Sequence, residues 1–118
     1  MRIVILLLGV GFLLQGMGWL VVPEQAAAGL GMPLLDGIGR STQVGDFAAF
    51  FFTLGTLMLL GSRAGHARLL FVPAGMLGAA ALMRTLAWLL QGASLAPVFI
   101  TVEAVVGVLL AIAAGRED

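Results

Sequence analysis

Four apolar segments, each close to the length needed to cross a bilayer, constrain this chain more than any other feature of its sequence. They run over residues 3–22, 44–60, 69–90 and 96–114. A helix needs roughly 20 apolar residues to span the hydrocarbon core of a membrane. Helices are favoured because a segment in lipid must satisfy its backbone hydrogen bonds internally. The pattern predicts an all-α fold: a four-helix transmembrane bundle that forms one domain over residues 1–118.

The composition argues against a water-soluble domain. Hydrophobic residues make up 61% of the chain and charged residues only 10%, whereas soluble domains average about 45–50% and 25%. The net charge is zero, which gives no basic surface for a nucleic-acid partner. The chain has no cysteine, so disulfides, thiol catalysis and thiolate metal sites are excluded. We expect membrane lipid as a partner, and neither a metal nor a cofactor.

The first apolar segment is predicted to be a retained transmembrane helix. It is longer than the apolar core of a signal peptide, usually about 7–15 residues, and Trp19 near its end suits a headgroup-level anchor. Residues 23–43 form the long outer connection, in which residues 24–30 are predicted to be a short interfacial helix and the Gly-rich remainder a loop. Its apolar residues indicate that the connection folds back onto the bundle or lies in the membrane interface; a lid over a site is the alternative.

The second apolar segment is predicted to begin a helix near Val44. Ser41 or Thr42 is the expected N-cap, because a hydroxyl oxygen accepts a hydrogen bond from a free backbone N–H of the first turn. Asp46 then falls in the first turn, where the helix dipole favours a carboxylate.

The distribution of basic residues predicts the orientation in the membrane. Four arginines fall on one side of a four-span arrangement: Arg2, Arg63, Arg68 and Arg116. Arg40 falls on the other side. The positive-inside rule then places both termini in the cytoplasm, with the long connection and the 91–97 turn outside. We expect a multi-pass protein of the bacterial inner (cytoplasmic) membrane.

One full charge lies well inside each of the last two apolar segments, Arg84 in the third and Glu103 in the fourth. The turn between them is centred near Ala93, nine residues after the arginine and ten before the glutamate. With a helical rise of about 1.5 Å per residue, both charges reach nearly the same depth. A charge at membrane depth faces a partner or a cavity, and it marks a candidate functional site.

Polar residues of all four segments gather at this outer level. The candidate catalytic residues are Glu103, Asp46 and Arg84, since two carboxylates beside a cation can divide acid and base roles. The candidate ligand-binding residues combine apolar walls with a few polar groups: Gln15, Phe50, Trp88, Phe99 and Thr101. In a structural interpretation, Arg84 and Glu103 only neutralise each other, as a clasp that fixes the register of two helices.

Three functions are compatible with this cluster. The leading one is a small binding or accessory membrane protein that holds a hydrophobic or amphipathic small molecule. The second is an intramembrane enzyme in which Glu103 and Asp46 act as acid and base, for example in isomerisation, hydration or cyclisation of a lipophilic substrate. The third is a structural subunit of a larger membrane complex. Self-association is expected through two pairs of small residues: Gly75 with Ala79 and Gly107 with Ala111.

The order of these features also suggests a family. An Arg40-Ser41 entry to the second span with Gly45, a short basic turn, an arginine deep in the third span followed by Gln91-Gly92, and a glutamate in the fourth span occur in that order. Over about residues 39–114, the chain resembles a family of small four-span bacterial membrane proteins of unknown function. The resemblance implies a four-helix membrane fold and a role for Arg84 and Glu103, and it implies no activity.

Overall fold

The computed structural model describes residues 1–116, and over this range it contains α-helices and no strand. The helices are α1 (Arg2–Val21), α2 (Pro23–Gly29), α3 (Gly37–Gly61), α4 (Phe71–Gln91) and α5 (Pro97–Gly115), with a 3₁₀ turn at Ala67–Leu70 before α4. Four of them, α1, α3, α4 with its 3₁₀ turn, and α5, are long and apolar enough to cross a membrane. The predicted all-α class and four membrane-length helices are confirmed.

The chain divides into two compact units. One runs from Arg2 to Leu59 and contains α1, α2 and nearly all of α3; the other begins at Leu60 and contains the 3₁₀ turn, α4 and α5. The combination of both units in one four-helix bundle stays a prediction.

Within the first unit, α1 and α3 approach closely where both carry glycine. A Cβ atom on Gly55 would lie 2.7 Å from the carbonyl oxygen of Gly9 and 2.7 Å from Cγ of Leu13. A Cβ on Gly16 would lie 3.0 Å from the ring of Phe52. Without these side chains the two backbones can come together, as small residues allow in membrane helices.

Aromatic stacking continues the α1–α3 contact on either side of Gly16. Trp19 stacks on Phe47 with ring centroids 4.9 Å apart, and Phe12 stacks on Phe51 at 5.9 Å. Trp19 is only 1% exposed. The prediction that it anchors the chain at headgroup level is therefore wrong, because its ring is held inside the protein by Phe47.

Helix α3 begins at Gly37, seven residues before the predicted start at Val44. Ser41 and Thr42 consequently lie inside the helix and are not its N-cap. Asp46 lies in the third turn and is exposed, so the prediction that it gains from the first-turn dipole is also wrong.

Side-chain hydrogen bonds explain this early start. Gln43 is 5% exposed, and its Oε1 accepts from the backbone N–H of Leu35 at 2.9 Å while its Nε2 donates to the carbonyl oxygen of Pro33 at 3.1 Å. Arg40 donates through Nε to the Leu35 carbonyl at 2.7 Å and through Nη2 to Asp36 at 3.0 Å. The first turns of α3 thus fasten the connection. Leu35 and Ile38 are 47% and 84% exposed, so the packing of its apolar residues onto the bundle stays a prediction. The predicted short helix in that connection is confirmed as α2.

The second unit is a hairpin whose ends follow the sequence signals. Gly92 adopts a left-handed conformation (φ 67°) just past α4, as expected of a C-terminal glycine. Pro97 opens α5, where its missing N–H has no partner to lose. The helices meet at Gly107, where an added Cβ would lie 3.3 Å from the Ala74 carbonyl oxygen. Gly75 and Ala79 lie on the exposed side of α4, and self-association through this pair stays a prediction.

The buried amide of Gln43 yields a stability prediction. In a Gln43→Met variant, the N–H of Leu35 and the carbonyl of Pro33 lose their partner in a side chain of similar size. We expect the free energy of unfolding to fall by about 1–3 kcal/mol, measured by chemical denaturation in detergent. The control is Thr42→Met, at the exposed neighbouring position. Equal stability of the two variants would contradict the fastening role of Gln43.

Candidate functional site

The α4–α5 hairpin brings its two internal charges together. Arg84 lies seven residues before the end of α4 at Gln91, and Glu103 lies six residues after the start of α5 at Pro97. Each is therefore about 10 Å along its helix from the connecting turn. Nε of Arg84 donates a hydrogen bond to Oε1 of Glu103 at 2.9 Å. The predicted pairing of these two side chains is confirmed.

Phe99 covers one face of the guanidinium. Its ring lies one helical turn before Glu103 on the same face of α5, and the Cζ atom of Arg84 is 4.7 Å from the ring centroid. Such a cation–π contact contributes about 0.5–2 kcal/mol, more when it is desolvated. One carboxylate oxygen and one aromatic ring thus hold the arginine from the α5 side.

The ion pair uses only part of its hydrogen-bonding capacity. Within residues 60–116, the two Nη groups of Arg84 make no hydrogen bond, and the Oε2 atom of Glu103 accepts none. A bidentate pair would use two parallel N–H···O bonds. The arginine side chain is 32% exposed and the glutamate 14%. The pair therefore retains donors on its more open side and one acceptor on its more enclosed side.

Two other predicted site residues of the hairpin, Trp88 and Thr101, are exposed. Trp88 lies one turn beyond Arg84 towards the connecting turn and is 44% exposed, and Thr101 is exposed as well. Thr85, next to the arginine, donates its hydroxyl to the carbonyl oxygen of Ala81 at 2.9 Å. That hydroxyl donor is already used within its own helix.

Three predicted site residues belong to the first unit. Gln15 on α1 and Asp46 on α3 are exposed, and Phe50 on α3 is half-buried with its ring edge-on to Phe51 at a centroid distance of 5.4 Å. Their association with Arg84 and Glu103 in one polar layer stays a prediction, as do the catalytic and ligand-binding roles of all eight residues.

The first unit also has a groove that the sequence did not indicate. It is shallow and open, with a volume of about 560 Å³, and it is lined by Trp19, Leu20, Pro23, Gly37, Arg40, Ser41, Val44 and Gly45. From the sequence, Arg40 served for the orientation and for the family resemblance, and Gln43 was not singled out. Their positions at the end of a Gly-rich stretch that follows two prolines marked them as loop residues, whereas the structure places both in α3. Among the described residues, no three His, Asp or Glu side chains are grouped as a metal site requires.

Comparisons of this chain with protein-family models, with curated proteins and with solved structures found no match. The resemblance to small four-span bacterial membrane proteins therefore stays a prediction. Functional conclusions rest on the geometry of the residues.

A double-mutant cycle measures the interaction between the paired charges. Each single variant, Arg84→Met or Glu103→Leu, leaves an unpaired charge, whereas the double variant removes both and costs less than the sum. We expect a coupling free energy of about 0.5–2 kcal/mol, the range of polar contacts between membrane helices. The measurement is unfolding in mixed detergent followed by circular dichroism.

The control is the same cycle between Arg84→Met and Thr101→Val, for which we expect no coupling because Thr101 is exposed and makes no hydrogen bond to Arg84. A coupling between Arg84 and Glu103 no larger than the control would exclude an energetically significant pair.

Proposed function

We propose that this chain is a small multi-pass protein of the bacterial inner membrane that binds a hydrophobic or amphipathic small molecule, acting as a binding or accessory protein. The binding site we propose is the outward part of the α4–α5 hairpin around Arg84 and Glu103. The observation that carries the proposal is the one-sided ion pair: within residues 60–116, the guanidinium is hydrogen-bonded through Nε, and its two Nη groups keep their donors.

Unused Nη donors are costly in the environment proposed for this pair. Hydrocarbon offers no hydrogen-bond partner, so each unsatisfied polar group costs several kcal/mol there. An arginine whose sole role was to join two helices would be expected to form a bidentate pair, with two parallel N–H···O hydrogen bonds to the carboxylate. A polar group of a bound molecule, reaching Arg84 from the exposed side, would satisfy the remaining donors.

The apolar surroundings fit the same molecule. Ligand sites combine mostly apolar walls with a few converging polar groups. On the hairpin, Phe99 stacks on the guanidinium, Trp88 is exposed one turn away, and Val102 and Val98 expose their side chains on α5. A lipophilic molecule could lie along this surface with its polar end at Arg84.

The clasp and the binding site are compatible roles of one pair. The Nε–Oε1 bond sets the register of α4 against α5, and in doing so it holds the remaining guanidinium edge in a fixed position. Preorganised polar groups of this kind lower the ordering cost of binding.

Molecules that copurify with the protein test the proposal. We expect the organic extract of the wild-type protein to contain a lipophilic compound enriched over bulk membrane lipid. The Arg84→Met/Glu103→Leu variant, which removes both polar groups and should fold because no charge is left unpaired, should lose at least about tenfold of it, equivalent to one hydrogen bond to a charged donor. Mass spectrometry of both extracts gives the measurement. Identical extracts, each with the composition of bulk lipid, would contradict the proposal.

A further inference from the structure

The charge balance of the site indicates which class of molecule it binds. Resting on the proposed function, we infer that the ligand is an uncharged lipophilic molecule whose carbonyl-type oxygen, such as that of an ester, a ketone or a quinone, accepts hydrogen bonds from the Nη groups of Arg84. The inference depends on three features of the pair: its neutrality, its remaining donors and its covered face.

The neutrality of the pair disfavours an anion. Glu103 already lies 2.9 Å from Arg84 and compensates its charge. A carboxylate or phosphate placed on the Nη groups would add a second negative charge near Glu103, and like charges repel strongly in a medium of low dielectric constant. An anionic headgroup would therefore have to be bound without a counter-charge in the hairpin.

The remaining donors disfavour a pure hydrocarbon. A guanidinium carries five N–H donors and no acceptor, and only the Nε–H is used within the hairpin. An apolar ligand would cover the Nη groups and leave them without partners. A neutral carbonyl oxygen has two lone pairs and can accept from this edge without changing the net charge of the site.

The covered face determines the direction of approach. The Phe99 ring lies against one face of the planar guanidinium, with its centroid 4.7 Å from Cζ of Arg84. The Glu103 carboxylate occupies the Nε side of the guanidinium. The Nη edge is the part of the guanidinium left for the ligand, and the Arg84 side chain as a whole is 32% exposed. Trp88 is one turn further along the same helical face, since residues four apart are neighbours on a helix. A ligand on the Nη edge would therefore have its chain near the Trp88 indole.

Because the ligand chain would lie near the Trp88 indole, quenching of Trp88 fluorescence can report binding. The chain contains two tryptophans, and Trp19→Phe keeps an aromatic ring against Phe47 while leaving Trp88 as the single emitter. The purified Trp19→Phe protein in detergent is titrated with three quenchers of equal chain length: dibrominated octadecane, dibrominated methyl stearate and dibrominated stearate as its anion. The titrations are repeated with Arg84→Met/Glu103→Leu added, and with Arg63→Met as a matched loss of an arginine outside the hairpin helices.

We expect the methyl ester to quench Trp88 with half-saturation at a concentration about tenfold lower than that of the hydrocarbon or the anion, the effect of one hydrogen bond to a charged donor. The preference should disappear in the Arg84→Met/Glu103→Leu background and persist in Arg63→Met. Circular dichroism confirms that each variant is folded.

The contrary outcomes distinguish failure of this inference from failure of the proposed function. Saturable quenching that is equal for ester and hydrocarbon, or tighter for the anion, would overturn the inference and leave binding at the hairpin intact. A preference for the ester that survives Arg84→Met/Glu103→Leu would also overturn it. Quenching that saturates with none of the three molecules would overturn the proposed function itself.

Discussion

A lipid interior supplies no hydrogen bonds, and every polar group of a membrane-embedded chain must find its partners within the protein or in a bound molecule. The hydrogen bond from Arg84 to Glu103 meets this constraint in part, well inside two apolar helices. The rest of the hairpin is arranged around it: the tight turn after Gly92 brings the charges level, and the close contact at Gly107 brings the helices near enough for the side chains to meet.

The two units reach helix contact by different means. In the first, α1 and α3 approach through glycines and stacked aromatic rings, with Gly55 against Gly9 and Trp19 on Phe47. These contacts are apolar and leave no polar group to satisfy. The buried polar side chain of that unit, Gln43, lies at its edge instead, where it fastens the connection to the first turns of α3. In the hairpin, by contrast, an ion pair lies within the contact between helices.

Much of this arrangement could be predicted from the sequence because it depends on local signals. Apolar length defined the four long helices, Gly92 and Pro97 marked the hairpin ends, and residue counting placed Arg84 level with Glu103. The start of α3 could not be read in this way. Glycines and polar residues before Val44 are typical of a loop, and helix forms there because Gln43 bonds to backbone groups eight and ten residues earlier. Contacts of that kind are absent from local propensity.

Side-chain orientation was the other limit. The sequence places Trp19 near a helix end, which is typical of a membrane interface, but only the packing of α1 on α3 turns its ring onto Phe47. Likewise, the count of residues predicts that Arg84 and Glu103 meet, but it does not predict that they meet through Nε alone. The proposed ligand depends on this last detail, since it decides which donors remain.

The contact between the two charges can be measured directly. In protein reconstituted in bilayers with ¹⁵N-labelled arginine and ¹³C-labelled glutamate, dipolar recoupling by solid-state nuclear magnetic resonance reports which carboxyl carbon lies near an arginine Nε. The account predicts strong dephasing of one glutamate carboxyl signal, lost in Glu103→Gln and retained in Glu24→Gln. Absence of dephasing in the wild-type protein, or its persistence in Glu103→Gln, would contradict the account.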